Sequence, residues 1–325
     1  MRISEKAADF KNNVYPDGCK VVSLDLCHWY QLEETKENGD EFSGLKNKID
    51  KLVSSGDVIF PISYSILYEF YKRRDQDLVM RRLGYADKLS KRLSFTHYFR
   101  LRENEIISHF NFNKRIDKKE ALTHWFDFYP IEFYFDNNGA TNEDIEKITD
   151  SLLNLSPKEW LKYDEYWSFT EGFTKDYCSA ILERIESYKK DWSRRDFRKS
   201  EICSIIRGVA RYFFGTQTKD RYDDQFNNLL SVFENIYEYS EKEKIDFFMN
   251  IPTIYMEHKT TEGLVFDKGN VKINDIWDIE HSMVLPYSDI YMTDGPTVHF
   301  LKALKIDKKF DVKIISKLSE LDLLL

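Results

Sequence analysis

The chain reads as an α/β protein with a parallel sheet, interrupted by a long and mostly helical insertion. Three observations predict this. Strand-like apolar runs alternate with helically spaced ones near the start, the same alternation returns near the end, and the middle keeps helical spacing with few convincing strands. With 325 residues there is material for one large domain or two ordinary ones, each with a buried core.

The first element is the run CKVVSLDL, residues 19–26, apolar, rich in β-branched side chains and ending beside Asp25. A polar loop, ETKENGDEF, opens the stretch that follows. From Ser43 to Ser54, Leu45, Ile49, Leu52 and Val53 recur at helical spacing, and DVIFPI, residues 57–62, reads as a second strand. Ser63 is a fitting N-cap for a helix whose apolar face carries Ile66, Leu67 and Phe70, with Glu69 beside them. The tail repeats this order, with a helix from Asp275, a strand over 289–292, a helix over 297–304, a strand over 311–315 and a last short apolar segment. Between them, NEDIEKITDSLLNL, DYCSAILERIESY, EICSIIRGVARYFF and QFNNLLSVFENIYEY space their apolar residues by three and four. The expected organisation is a discontinuous core of residues 1–95 and 265–325 around a helical insertion of residues 96–264.

Composition narrows the function classes. Apolar residues at 42% and aromatics at 15% exceed what a disordered chain carries. A mean hydropathy of -0.55 does not suit a membrane bundle. No apolar run approaches the roughly 20 residues of a membrane-spanning helix, and MRISEKAADFKNN lacks a signal-peptide apolar core, so a cytoplasmic protein with no membrane partner is expected. Cys19, Cys27, Cys178 and Cys203 form no C-x-x-C pair and have no His at zinc spacing, and they read as buried or idle thiols. The net charge of -8 is not that of a protein coated in positive charge for nucleic acid, so local charge has to be weighed instead.

The segment NDIWDIEHSMVLPYSDIYMTD, residues 274–294, is dense in aspartates. Asp275 and Asp278 are three apart and share a helix face, while Asp289 and Asp294 bracket a short strand. A carboxylate just past the C-terminal end of a strand lies where open α/β sheets place their ligands. Carboxylates gathered in one crevice repel each other unless a hard cation neutralises them. Each acid alone also fits an ordinary role: Asp275 in a first turn is capping chemistry, Asp25 a solvated strand end, Glu69 a helix-surface acid. His28 and His281, each three residues after an aspartate, fit satisfied core positions as readily as a site.

Taken in order, Asp25 after the first strand, Glu69 on the helix after the second, Asp278 in D-x-x-H and Asp294 in T-D resemble the acidic pattern of the PIN-like nuclease superfamily. PYSDIYMTD resembles that family's PYCDIFLTD-type signature, with Ser288 in place of the cysteine and Gly295 where relatives often carry a basic residue. The resemblance covers the two ends of the chain and leaves the middle unmatched. It implies a PIN-like three-layer sandwich with a central parallel sheet. It also implies a divalent-metal nuclease that uses Mg²⁺ or Mn²⁺ to activate water, with RNA favoured over DNA as substrate. Asp25, Glu69, Asp278 and Asp294 would be the catalytic acids and principal metal ligands, and Asp289 and Asp275 auxiliary ones.

Two basic windows bear on a nucleic-acid partner. Residues 72–102 carry ten Lys or Arg against three acids, a net of +7 directly after Glu69, and Lys72, Arg73, Arg74, Arg81 and Arg82 are the expected phosphate contacts. Residues 189–211 carry eight against three, with Trp192 and Phe197 interleaved, although a solvated helix face with core aromatics is the slightly better account there. Two other readings stay open at this point: a non-catalytic nucleic-acid or protein-binding module on the same fold, and a phosphohydrolase acting on a small nucleotide. A role in RNA turnover, as a toxin or in defence would suit a stand-alone nuclease, with or without a protein partner or a second copy of the chain.

Overall fold

The computed structural model describes residues 10–35, 42–72, 75–125, 178–190, 192–194 and 238–325, with the single residues 141, 143, 197, 232, 235 and 236. These divide into two compact units. The first holds the described residues up to His97, those between Asp117 and Tyr177, and Val284–Leu325; the second holds Tyr98–Ile116 and the described residues between Cys178 and Met283.

The first unit begins with strand β1 (Lys20–Leu24), helices α1 (Leu26–Glu34) and α2 (Ser43–Ser55), and strand β2 (Val58–Ile59). Helices α3 (Tyr64–Tyr71) and α4 (Gln76–Ser90) and strand β3 (Leu93–Phe95) follow. The second unit takes α5 (Tyr98–Phe112), after which β4 (Leu122–His124) returns to the first. Helices α6 (Glu241–Phe248), α7 (Pro252–Phe266) and α8 (Ile273–Ser282) belong to the second unit. The chain closes in the first with β5 (Ile290–Met292), α9 (Gly295–Ala303), α10 (Ile306–Phe310), β6 (Lys313–Ile315) and α11 (Leu318–Leu324).

The expected parallel sheet is present, with four strands in the order β2-β1-β5-β6. Val22 to Leu24 of β1 pair in parallel with Ile290 to Met292 of β5, which pair in turn with Lys313 to Ile315 of β6. Val21, Val22, Ser23 and Leu24 are all buried, as expected of a strand covered on both faces. The DVIFPI run keeps only Val58 and Ile59 as strand, since Pro61 has no N–H to give a ladder. Ile62 then bridges Ser94, and β3 pairs antiparallel with β4, a two-stranded ladder outside the sequence expectation.

Ser63 caps α3 through its hydroxyl, which accepts from the Ile66 N–H at 3.4 Å. The chain leaves α2 at Gly56 with φ +85°, where a Cβ would come 2.8 Å from Pro16 Cγ, so both the left-handed backbone and the close approach call for glycine. Helix α1 replaces part of what reads as loop. It starts immediately after β1 and buries Leu26, Trp29 and Leu32, which recur every three residues along one side. Arg82 lies over the Tyr30 ring of this helix, 3.5 Å from its centroid, where α1 and α4 meet.

In the second unit, Ile106, Val232, Ile236, Phe248, Ile251 and Ile254 form a buried apolar cluster. Residues 178–190 are helical, as DYCSAILERIESY predicts. Segment EICSIIRGVARYFF, all of NEDIEKITDSLLNL but Glu143, most of QFNNLLSVFENIYEY and most of the window 189–211 lie outside the described residues.

The expected boundaries at 95 and 265 differ from the two units in two places. Residues 117–125 belong with the core because β4 pairs with β3. Helix α8 belongs with the second unit because it packs on α7, burying Ile276, Trp277 and Ile279. Among the described residues no helix is long and apolar enough to cross a membrane.

Candidate active site

Asp25 and Asp294 follow β1 and β5 at the same end of two neighbouring parallel strands. The β1–β5 ladder carries on to Asp25, whose N–H donates to the Met292 carbonyl at 2.9 Å, and Asp294 lies two residues beyond Met292. From β1 the chain crosses to β2 on one side, and from β5 it crosses to β6 on the other, so the two aspartates flank the point where the connections diverge. That crevice is where open α/β sheets bind ligands.

Each aspartate is also an N-cap. Asp25 Oδ1 accepts from the Leu26 N–H at 2.5 Å at the start of α1, and Asp294 Oδ1 accepts from the Thr297 N–H at 2.7 Å at the start of α9. Capping accounts for an aspartate at each position, and the strand pairing puts both at the same end of neighbouring strands. Asp25 Oδ2 accepts from Thr293 Oγ1 at 3.4 Å and from Cys27 Sγ at 3.7 Å. Asp294 is exposed, and its second oxygen accepts no hydrogen bond among the described residues. Carboxylates fixed through one oxygen by the backbone are the kind of ligand a hard divalent cation such as Mg²⁺ or Mn²⁺ takes.

Cys27 and His28 join Asp25 at this corner, which the sequence does not reveal because D-x-C-H is no familiar metal spacing. The three residues each bring a ligand atom within 4.8 Å of the others. Cys27 is exposed, in contrast to the buried Cys19 and Cys178. Although the residue reaches solvent, its sulfur is tucked against the cluster, and burial followed by the negative charge of Asp25 pushes the thiol up to about 12. His28 is buried, and burial keeps its imidazole below the ordinary range, the Ser316 carbonyl opposing this.

The other expected ligands are placed differently. Glu69 is half-buried on α3, which packs on α1 partly through an edge-on contact of Phe70 with Tyr30 at 5.7 Å. Asp289 stands at the opposite end of β5 from Asp294. Its Oδ2 accepts from the Val21 N–H at 2.8 Å, and its Oδ1 forms an ion pair with Lys118. Thr293 lies four residue steps along the strand from Asp289, about 13 Å at the usual rise, so Asp289 cannot share an ion with Asp294.

Asp275 and Asp278 both lie on α8 of the second unit. Asp275 is the cap its position suggests, accepting from the Lys272 N–H at 2.6 Å and pairing with Lys268 Nζ at 2.5 Å. Asp278 is exposed, and His281 is buried. Sequence reasoning missed the buried acids of this unit. Glu105 accepts from the Thr253 N–H and hydroxyl, the latter at 2.5 Å, at the start of α7, and Glu257 takes the Arg102 guanidinium at 2.6 Å. Burial pushes Glu280 up to about 8, Tyr98 opposing through a hydrogen bond and Glu257 adding to the rise. The residue as a whole is only half-buried, but its Oε2 is shielded from water and has no hydrogen-bond partner among the described residues.

Much of the first basic window is spent inside the protein. Arg81 pairs with Glu33 at 2.6 Å, and Arg82, itself buried, pairs with Glu34. Lys88 pairs with Asp50 at 2.8 Å, and Arg92 lies 3.9 Å from Asp87. Arg82, expected to contact phosphate, has its charge on α1 beside Glu34 and the Tyr30 ring. Lys72 is exposed, its Nζ 4.4 Å from the Tyr68 ring centroid, while Arg73 and Arg74 lie outside the described residues.

Comparison with protein-family models, with curated proteins and with solved structures finds no match to this chain. Any functional reading therefore rests on the chemistry of the site itself.

Proposed function

We propose that the chain is a divalent-metal-dependent nuclease of PIN-like type, favouring RNA, whose metal is held by Asp25 and Asp294 with Glu69 as a third carboxylate. The observation that carries this reading is the placement of Asp25 and Asp294 past the C-terminal ends of adjacent parallel strands, at the point where the sheet's connections diverge. Mg²⁺ or Mn²⁺ bound there would supply an activated water and stabilise charge on a phosphoryl oxygen. The residues' own part is to hold carboxylate oxygens in place. Each aspartate is fixed by its cap hydrogen bond, so little ordering is left to occur when substrate binds.

A second reading has an observation in its favour. Because Arg81, Arg82, Lys88 and Arg92 have acidic partners within the fold, fewer cations remain for a long phosphate backbone. A phosphohydrolase acting on a small nucleotide, with the same metal chemistry, needs fewer. The two readings separate when purified protein is incubated with RNA, DNA and nucleoside phosphates under Mn²⁺, with EDTA as control. Metal-dependent cutting of RNA supports the nuclease, release of phosphate from nucleotides alone supports the second reading, and turnover that persists in EDTA contradicts both.

A further inference from the structure

The Asp25 corner combines a carboxylate, a thiol and an imidazole, a donor set that a hard-cation site does not need. His28 is only 2% exposed, and its Nε2 lies 3.2 Å from the Ser316 carbonyl. A carbonyl oxygen can only accept, so the proton sits on Nε2, and in the neutral ring Nδ1 presents its lone pair to the cluster. Fixing a ring through one nitrogen so that the other faces outward is how proteins orient a metal-ligating histidine. This anchor lies outside the cluster, on the segment that follows β6.

The spacing of the donor atoms agrees. Cys27 Sγ is 3.4 Å from His28 Nδ1 and 3.7 Å from Asp25 Oδ2. Bond lengths of about 2.3 Å to sulfur and about 2.0 to 2.2 Å to nitrogen or oxygen, at tetrahedral angles, place neighbouring ligand atoms about 3.5 Å apart. Three ligands from one short segment leave a fourth position for water or a further oxygen. The exposed side of Cys27 gives an ion its way in, and the negative charge of Asp294 reaches both Cys27 and His28.

We propose that Asp25, Cys27 and His28 form a binding site for a borderline divalent ion of the Zn²⁺ class, held through Oδ2, Sγ and Nδ1. On binding, the Cys27 S–H bond breaks, its proton passes to solvent and the sulfur electron pair forms the bond to the metal. Hard oxygen-seeking ions gain little from the thiolate and imidazole, whereas Zn²⁺ and Co²⁺ gain from both. The site shares Asp25 with the nuclease reading but does not depend on it. If both hold, Zn²⁺ engages an Asp25 oxygen that the hard ion also uses, and it inhibits cleavage supported by Mn²⁺.

The test is titration of the full-length chain with Co²⁺, followed by optical absorption, beside Cys27→Ser and Asp25→Asn. Co²⁺ on the wild-type chain is expected to give a sulfur-to-metal charge-transfer band and the intense visible bands of a tetrahedral ion, both displaced by Zn²⁺. Cys27→Ser, at an exposed position, is expected to lose the charge-transfer band while keeping the wild-type circular dichroism, and Asp25→Asn to shift the visible bands and weaken binding. Absence of a charge-transfer band at saturating Co²⁺, or its persistence in Cys27→Ser, overturns the site. The readout needs no catalysis. A chain that binds Co²⁺ through sulfur but cuts nothing with Mn²⁺ contradicts the nuclease reading alone, and one that cuts RNA but shows no such band contradicts this site alone.

Discussion

Asp289 and Val21 grip each other twice. The Val21 N–H donates to Asp289 Oδ2 at 2.8 Å, and the Asp289 N–H donates to the Val21 carbonyl at 2.8 Å, so the entrance of β5 is clamped to β1. The aspartate of the D-I-Y-M run thus serves the sheet, while Asp294 at the other end of the strand faces the crevice.

Asp289→Ala is therefore expected to lower stability by about 1 to 3 kcal/mol, the usual loss when a hydrogen bond to a charged group is removed. Asp289→Asn, which keeps an acceptor, should lose less. Urea unfolding checks the energies, and cleavage per folded molecule should stay within a few-fold of wild type. Abolished cleavage in a folded Asp289→Asn chain would show that the residue reaches the metal after all.

Glu280 predicts a pH dependence. A glutamate ordinarily ionises near 4.5, but the folded chain holds this proton up to about 8, because burial penalises the charge. The unfolded chain gives up its proton first as pH rises, so the folded state binds more protons across that window, and the group's contribution to stability falls from about pH 4.5 to 8 and then levels off. Each unit of separation is worth about 1.4 kcal/mol. Glu280→Gln, which carries no charge at any pH, should match wild type near pH 4.5 and exceed it by a few kcal/mol near pH 8. Chemical denaturation at the two pH values decides this, and equal differences at both would contradict the buried, protonated acid.

Arg82 tests how the basic window is used. Its guanidinium lies 3.5 Å from the Tyr30 ring centroid and pairs with Glu34, so Arg82→Gln should reduce stability by about 1 to 3 kcal/mol. The salt dependence of RNA binding should not change. A phosphate contact would instead lower the slope of log affinity against log salt by about one.

Much of this fold is legible in the sequence because its strands are continuous apolar runs and several of its helices begin at recognisable caps. KVVSL, with four of its five residues buried, can satisfy its apolar side chains only inside a covered parallel sheet, and Ser63 marks the start of α3. Helix α1 is less visible. Its polar residues run directly into the loop ETKENGDEF, and what nucleates it is Asp25, which reads equally well as a site acid. The membership of α8 cannot be read from spacing, since an apolar face does not say which neighbour covers it.

Within the site, the sequence pointed to Asp25 and Asp294 because each directly follows an apolar strand. It misplaced Asp289, which precedes its strand and so lies at the end of a parallel sheet away from the crevice. Cys27 went unread, and His28 fitted a core position as readily as a site, for a different reason. Their proximity to Asp25 arises from the first turn of a helix folding back on its cap residue, and a linear motif hides that turn.

The central claim is that Asp25 and Asp294 act on one metal, and a double-mutant cycle tests it most directly. Asn caps a helix about as well as Asp, so Asp25→Asn, Asp294→Asn and the double variant should all fold while losing ligand charge. With RNA and Mn²⁺, each single variant is expected to cut at least roughly 100-fold more slowly, as loss of several kcal/mol of charge stabilisation implies. The double variant should be little slower than either, because residues that act as a unit are not additive. Wild-type rates in either single variant, or losses that simply multiply in the double, would contradict a shared ion.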